Sequence, residues 1–112
     1  MDRARLIDIF LWAMGKRRRF VIKGPSMKPT LKPGDQVLVD VKTHLRRPLR
    51  PSEIVLFRQP AGTLLMVKRI LSIEQGAIHV QGDNQSESSD SRHFGLVPID
   101  NVIGVVCTKI GA

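Results

Sequence analysis

Short runs of β-forming apolar residues, each ended by glycine, proline or polar residues, follow one another along most of this 112-residue chain. This pattern is typical of an all-β domain. We therefore expect a mainly β fold, in which a twisted and mostly antiparallel sheet closes towards a barrel or sandwich. The runs predict strands at 20–23, 36–42, 54–57, 63–74, 78–81 and 102–110.

The connections between these runs are rich in turn-forming and polar residues. Residues 43–52 form a basic segment in which Pro48 and Pro51 argue against regular structure. Residues 58–62 predict a turn, and residues 82–95 predict a polar loop because they contain no aliphatic side chain. No repeat and no interdomain linker is visible, which indicates a single domain.

The first 19 residues predict a separate element. The apolar run at 6–14 is nine residues long and contains Asp8, whereas a membrane span needs about 20 apolar residues. Basic residues flank the run on both sides and no small-residue cleavage site follows, which argues against a signal peptide. We expect a basic amphipathic helix over 1–19, followed by one domain over 20–112. The helix could dock on the domain or lie on a membrane surface.

Charge and cysteine content bear on the partners and the setting of the chain. The 18 basic and 10 acidic residues give a net charge of 18 − 10 = +8, which favours nucleic acid, anionic lipid or an acidic polypeptide as a partner. Cys107 is the only cysteine, so no intrachain disulfide can form and an intracellular setting is expected. Cys107 lies in an apolar run and is expected to be a buried small hydrophobe.

A proline-rich segment at 24–35 (GPSMKPTLKPGD) holds Ser26 where neither a helix nor a continuous strand can form. Pro25 and Pro29 restrict the backbone on both sides of the serine, so its hydroxyl is positioned before any substrate binds. A serine hydroxyl becomes a nucleophile when a nearby base removes its proton. The segment therefore raises the question of which residue is that base.

Histidine is the usual base, but the three histidines of this chain have no obvious partner. His44 lies in the basic segment, His79 in a predicted strand and His93 among polar residues. Their spacing does not match a metal site, so no metal or other cofactor is expected. All three are predicted to be surface or structural residues.

Lys68 is the other candidate base. On a strand its face carries Leu64, Met66 and Ile70, so the lysine stands in an apolar row. Burial would lower its pKa and leave the amine able to accept a proton. In the alternative, Lys68 extends to the edge of the sheet and stays charged. These residues alone leave both possibilities open.

Three segments resemble, in order, the sequence boxes of type I signal peptidases. They are GPSMKPTLKPGD at 24–35, MVKRI at 66–70 and GDNQSESSDSRHFGLVP at 82–98. The resemblance implies a serine endopeptidase with the fold of that family and a Ser–Lys dyad. In that dyad Ser26 attacks the peptide carbonyl, and Lys68 is the general base that later protonates the leaving amine, without any histidine.

The same resemblance implies supporting roles for residues of the second and third boxes. Ser88 matches a serine that holds the family's lysine by a hydrogen bond. Asp90 and Arg92 match an ion pair that braces the loop, and Arg69 is a further candidate for this pair. We expect these residues to be structural supports of the dyad.

The resemblance also bears on the oxyanion hole and the substrate pocket. The backbone N–H of Ser26 is the expected oxyanion donor. Some family members add a hydroxyl where this chain has Gly24, and Pro25 has no N–H, so a second donor is unassigned. Each missing donor costs ~10²–10³ in rate. Met27 is expected to pack under the site. The predicted pocket walls are Met27, Met66 and Val67.

Within this resemblance, the chain is most similar to a reduced, soluble group, the nickel-type superoxide dismutase maturation proteases. Ordinary signal peptidases carry N-terminal spanning helices and usually a large β insertion before the third box. Here 13 residues separate Lys68 from Gly82 and no spanning segment is found. The implied partner is the precursor of a nickel-type superoxide dismutase, which would lose an N-terminal extension in the cytoplasm.

Three alternatives stand beside this hypothesis. A membrane-surface signal peptidase would cleave the signal peptides of exported proteins, with residues 3–19 in peripheral contact with anionic lipid. A self-cleaving repressor would need a DNA-binding domain, and the 25 residues before Ser26 leave room for only one helix. A non-catalytic nucleic-acid-binding module would use the basic residues at 16–19 and 44–50. Aromatic residues for stacking make up only 4% of the chain.

Overall fold

The computed structural model describes residues 2–3 and 17–111. These residues are mainly β, which confirms the predicted fold class. The sheet consists of β1 (Asp2–Arg3), β2 (Arg18–Val21), β3 (Gln36–Asp40), β4 (Ile54–Arg58), β5 (Leu65–Glu74), β6 (Ala77–Gln81), β7 (Val97–Pro98) and β8 (Val102–Gly111). The connections contain α1 (Thr43–Arg46), α2 (Ser91–Phe94) and single 3-10 turns at Gln85–Glu87 and Ile99–Asn101.

The strands pair in the order β2-β3-β8-β4-β5-β6-β7, and every pair in this order is antiparallel. β1 pairs in parallel with β8 at Thr108 and Lys109. The last strand in sequence therefore lies in the middle of the sheet, between β3 and β4. Its largely apolar sequence suits this position, because a buried cluster lies on each face of the sheet, with Val106 in one and Val105 in the other.

Apolar side chains form two buried clusters, because successive residues of β4 point to opposite faces of the sheet. Ile54 and Leu56 belong to one cluster, which also includes Met27. Val55 and Phe57 belong to the other. The first cluster therefore anchors the proline-rich segment to the sheet.

The predicted helix over 1–19 is wrong at the ends that the structure describes. Asp2–Arg3 is strand β1, and Arg18–Val21 is strand β2, which pairs with β3. Residues 4–16 lie outside the described residues. Arg18 and Arg19 are exposed, and charged side chains of this kind are common on an edge strand, where one side of the backbone faces solvent.

The basic segment at 43–52 was predicted to lack regular structure, but it contains the single turn of α1. The Asp40 carboxylate accepts the N–H groups of Lys42 and Thr43 at 2.8 and 3.0 Å and so satisfies donors at the start of the turn. Arg47 has an extended backbone, as expected for a residue before proline, and α1 ends at Arg46.

The single cysteine is less buried than expected. Cys107 is half-buried, and its thiol donates to the carbonyl of Val105 at 3.5 Å. Side chains of β8 alternate between the two faces of the sheet, and the face that carries Cys107 is partly open here. The prediction of a buried cysteine is therefore wrong.

Candidate active site

The proline-rich segment folds into successive turns between β2 and β3. The N–H of Lys28 donates to the carbonyl of Pro25 at 3.1 Å, and the N–H of Leu31 donates to the carbonyl of Met27 at 2.9 Å. Met27 is only 1% exposed and packs in the core below the turns. Gly24 has a φ of 75°, a conformation that glycine adopts without the strain a side chain would introduce. The sequence of the segment thus fixes the backbone around the serine.

Ser26 and Lys68 line the same cavity, which has a volume of about 300 Å³. The serine comes from the turns after β2, and the lysine comes from β5. Most of the remaining lining is apolar and includes Phe20, Ile22, Met27, Leu64, Met66 and Val67. The three predicted pocket residues are among them. A cavity with apolar walls and a few polar groups is typical of a site that binds part of a substrate.

Lys68 is 3% exposed and stands opposite Val55 of β4. Burial lowers the pKa of its amine below the ordinary value, and the charge of Asp90 offsets this shift in part by favouring the protonated form. A lysine that extended to the sheet edge would expose its amine to water. The structure therefore favours the buried arrangement over the extended one that the sequence left open.

The Asp90 carboxylate is completely buried and accepts several hydrogen bonds. Arg92 donates from Nε at 2.9 Å and from its backbone N–H at 3.1 Å. The N–H of Gly82 and the hydroxyl of Ser88 each donate at 3.1 Å. Burial by itself would raise the pKa of Asp90, but these hydrogen bonds outweigh burial and hold the pKa at about 2. The Asp90 carboxylate is therefore charged at neutral pH, and its charge favours the protonated form of Lys68.

Ser88 was expected to hold the lysine by a hydrogen bond. In the structure its hydroxyl donates to Oδ2 of Asp90. A hydroxyl oxygen that donates its hydrogen still has lone pairs and can accept a bond from an amine. Contact between Ser88 and Lys68 therefore stays a prediction, and Ser88 is placed beside the carboxylate that influences the lysine.

Arg69 lies in a different ion pair from the one expected. Its Nε and Nη2 atoms donate to the two carboxylate oxygens of Asp83 at 2.9 and 2.8 Å, and Nη1 donates to the carbonyl of Ser52 at 2.8 Å. Neighbouring residues on a strand point to opposite faces, so Arg69 points away from the face of Lys68. This corrects the expectation that Arg69 joins the pair formed by Asp90 and Arg92.

The sequence did not single out Asp83, which connects two parts of the site. Its Oδ2 atom accepts the hydroxyl of Thr30 at 2.5 Å while the carboxylate also binds Arg69. The bonds from Arg69, together with the one from Thr30, hold the pKa of Asp83 below its ordinary range despite burial. Asp83 thus ties the turns after Ser26 to the strand that carries Lys68.

Asn84 was missed as well, although it stands in the third box with Asp83. Its backbone N–H donates to the carbonyl of Ser26 at 2.8 Å, and its side-chain Nδ2 donates to the carbonyl of Pro25 at 3.1 Å. Membership of the third box was the only sequence signal for either residue. The contacts themselves join residues that are far apart in the chain.

Two of the three histidines have local polar contacts. His79 lies 3.8 Å from the Glu74 carboxylate, and Nδ1 of His93 accepts the N–H of Asp90 at the start of α2. His44 is half-buried in α1. Residues 2–3 and 17–111 contain no group of three His, Cys, Asp or Glu side chains arranged to hold a metal. Over the same ranges, no helix is long and apolar enough to cross a membrane.

Comparison with known proteins agrees with the resemblance of the three boxes. The family model for signal peptidase, peptidase S26, matches residues 5–74 and 71–110. The mitochondrial ATP-independent inner membrane protease subunit 1a of Arabidopsis thaliana is 30% identical, across 97% of this chain and 82% of its own length. Signal peptidase I V of Bacillus subtilis (strain 168) is 23% identical, across 92% of this chain and 93% of its own length.

The thylakoidal processing peptidase 1 of Arabidopsis thaliana is 25% identical, across 74% of this chain but only 38% of its own length. All three relatives are named as proteases or peptidases. The family match extends over the turns that carry the serine, the strand that carries the lysine and the third box. The chain therefore belongs to the signal peptidase family, peptidase S26, and is a serine-type peptidase.

Proposed function

We propose that the chain is a Ser–Lys endopeptidase that removes an N-terminal extension from a precursor protein, and that this precursor is a nickel-type superoxide dismutase. The observation that carries the catalytic part is the buried amine of Lys68 in the cavity that Ser26 also lines. Burial lowers the pKa of the amine and so increases the fraction that is neutral at a given pH. A neutral amine can take the proton of a serine hydroxyl.

In the proposed reaction, Oγ of Ser26 bonds to the carbonyl carbon of the scissile peptide while the amine of Lys68 takes the hydroxyl proton. Lys68 then gives this proton to the leaving nitrogen, and the C–N bond breaks to leave an ester on Ser26. Water attacks the ester as it passes a proton to Lys68. The bond to Oγ breaks, the serine regains the proton, and the N-terminal extension is released. The shortened protein has already left with the leaving nitrogen in the first half of the reaction.

Asp90 has a supporting role in this mechanism. Burial lowers the pKa of Lys68, whereas the charge of Asp90 raises it. A general base that must also return its proton works best when its pKa is not far from the working pH. The two opposing effects thus let one amine act as base in one step and as acid in the next.

Support for the substrate comes from the short connection between the second and third boxes. Strands β5 and β6 and the tight turn between them account for residues 69–81. This reduced core is the feature by which the chain resembles the nickel-type superoxide dismutase maturation proteases. The apolar cavity beside Ser26 is suited to apolar substrate side chains next to the cut.

A membrane-surface signal peptidase is the second candidate, and the names of the relatives favour it. One relative is named an inner membrane protease and another a thylakoidal processing peptidase. The comparisons give no corresponding support for the cytoplasmic location. In this alternative, residues 3–19 would contact anionic lipid. Membership of a peptidase family gives no support to the nucleic-acid-binding alternative.

Incubation with two precursors tests the catalytic and the substrate proposals together. One is a nickel-type superoxide dismutase precursor, the other an exported protein with its signal peptide, and intact mass measures the cut. The parent should shorten the dismutase precursor, whereas Ser26→Ala and Lys68→Ala should not. Ser72→Ala and Lys42→Ala change exposed residues of the same types and should cut like the parent. Cleavage by Lys68→Ala would contradict the dyad, and cleavage of the exported protein alone would favour the second candidate.

Flotation with vesicles tests the location. If the protein acts in the cytoplasm, the purified chain should remain at the bottom of the gradient. This should hold both with phosphatidylcholine vesicles and with vesicles that contain phosphatidylserine. Flotation with the anionic vesicles only, lost after deletion of residues 3–19, would establish the membrane-surface alternative.

A further inference from the structure

The main-chain N–H of Ser26 is the expected donor to the oxyanion, and its direction is set by a neighbouring carbonyl. The carbonyl of Pro25 and the N–H of Ser26 belong to one peptide unit. Such a unit is planar, and in its trans form the C=O and N–H bonds point in opposite directions. The cis peptide among the described residues is Lys28–Pro29, so the Pro25–Ser26 unit is trans. Whatever holds the Pro25 carbonyl therefore also aims the N–H of Ser26.

Two donors hold that carbonyl. The N–H of Lys28 donates to it across the turn, and Nδ2 of Asn84 donates to it from the third box, each at 3.1 Å. The peptide unit on the other side of Ser26 is held as well, because the N–H of Asn84 donates to the Ser26 carbonyl at 2.8 Å. Asn84 thus restrains both peptide units that flank the α-carbon of the nucleophile.

The amide of Asn84 is itself oriented by its neighbours. Nδ2 also donates to the Glu87 carboxylate at 3.1 Å, and Oδ1 accepts the hydroxyl of Ser86 at 3.3 Å. These contacts place the amino group, rather than the carbonyl group, of the amide towards Pro25. The preceding residue, Asp83, is fixed by its bonds to Arg69 and Thr30. The donor therefore comes from a braced position.

We propose that Asn84 is a positioning residue for the oxyanion site: its side-chain amide holds the Pro25 carbonyl and thereby aims the N–H of Ser26 at the oxyanion. The role matters more in this chain because Gly24 supplies no hydroxyl and Pro25 supplies no N–H. This inference rests on the proposed function, since it takes Ser26 as the nucleophile. It adds a residue that acts through the backbone of Ser26 and is not among the residues that line the cavity.

The test compares Asn84→Ala and Asn84→Asp with the parent. The Asp variant keeps the shape of the side chain and removes its N–H donors, so it remains informative if the Ala variant is unstable. Asn101→Ala is the matched control, because the Asn101 amide also donates to a backbone carbonyl, that of Arg58, at 3.0 Å and lies outside the cavity. A peptide that spans the precursor's cleavage site serves as substrate.

A weakened oxyanion site lowers kcat more than it changes KM. We expect kcat to fall roughly 10- to 100-fold in both Asn84 variants, and KM to stay within about twofold of the parent. The fall is smaller than the ~10²–10³ that the loss of a whole oxyanion donor costs, because the N–H of Ser26 is misdirected and not removed. In Asn84→Ala the pH at which activity reaches half its maximum should stay unchanged, because this substitution adds no charge near Lys68. Asn101→Ala should match the parent in kcat.

Inhibitor binding separates positioning from general loosening of the loop. A peptide aldehyde adds to Ser26 and places an oxygen at the oxyanion position, whereas the same peptide ending in an amide binds without a bond to the serine. The Asn84 variants should lose affinity for the aldehyde by a factor similar to the loss in kcat and keep affinity for the amide. Equal losses for both ligands, or a kcat within about twofold of the parent, would overturn the positioning role. Cleavage that persists in Ser26→Ala would instead overturn the proposed function, and this role with it.

Discussion

Gly82 and Ser26 meet backbone to backbone. A Cβ atom at position 82 would lie 2.6 Å from the carbonyl oxygen of Ser26 and 2.2 Å from Oγ of Ser88. Atoms of this kind do not approach so closely, and the Ser26 oxygen is a main-chain atom that is also bound by the N–H of Asn84. Glycine is therefore required at this position for its lack of a side chain.

Substitution of Gly82 should displace the nucleophile. We expect Gly82→Ala to lower the free energy of unfolding by about 1–3 kcal/mol, the usual effect of an extra methyl group in a tightly packed site, and to reduce kcat by more than tenfold. Urea denaturation and peptide cleavage measure the two effects. Gly62→Ala is the control, since a Cβ atom there would meet only Oε1 of Gln59 at 3.8 Å. A Gly82→Ala protein with the stability and rate of the parent would show that the contact is not restrictive.

The lowered pKa of Lys68 predicts the pH dependence of cleavage. The neutral amine is the base, so kcat should rise with pH through the lowered pKa and level off above it. Asp90 favours the protonated amine, and the Asp90→Asn variant should therefore reach half of its maximal kcat at a lower pH than the parent. Measured rates that do not change between pH 6 and 10 would contradict the role of Lys68 as the base.

Burial of Lys68 also predicts a gain in stability when its charge is removed. Between the lowered pKa of the folded protein and the ordinary value of 10.5, the unfolded chain binds more protons, so stability rises with pH over this interval. Lys68→Met should be more stable than the parent at pH 7, by about 1.4 kcal/mol for each pKa unit of lowering, and the difference should shrink towards pH 10.5. Thermal unfolding of the two proteins at several pH values measures this difference.

A Lys68→Met protein that is less stable than the parent at every pH would indicate that the amine contributes more by its contacts than it loses by burial. Lys28→Met is a suitable control because Lys28 is exposed. Its stability should differ little from that of the parent at any pH, since an exposed lysine is solvated in both the folded and the unfolded state.

The lowered pKa of Asp90 predicts that the protein loses stability in acid. Its pKa is about 2 in the folded protein and 3.8 ordinarily, so its contribution is complete above pH 3.8 and is lost as the pH falls towards 2. This difference of nearly two pKa units corresponds to a contribution of about 2 kcal/mol to the free energy of unfolding. Asp90→Asn should be less stable than the parent at pH 7 by at least this amount, and the gap should narrow below pH 3.8. A gap that is the same at pH 7 and pH 2 would show that ionisation of Asp90 does not stabilise the fold.

Several parts of this fold follow from the sequence because they depend on local patterns. Alternation and β-branched residues mark the strands, and the ends of β3, β4, β5, β6 and β8 lie within two residues of the predicted ones. The apolar row around Lys68 indicates burial through the alternation of a single strand. The turn of α1 was missed because it depends on Asp40, whose side chain reaches forward from the preceding strand.

The sequence by itself determined the class of fold, the proline-stiffened setting of Ser26 and the apolar face of Lys68, because each depends on residues adjacent in the chain. Tertiary structure alone decided that Arg69 pairs with Asp83, that Asn84 holds the carbonyl of Pro25 and that β8 occupies the middle of the sheet. Thr30 and Asp83 are 53 residues apart, and Asn84 and Pro25 are 59 apart. Contacts at such separations depend on the order in which strands pair, and no local pattern of hydrophobicity or stiffness encodes that order.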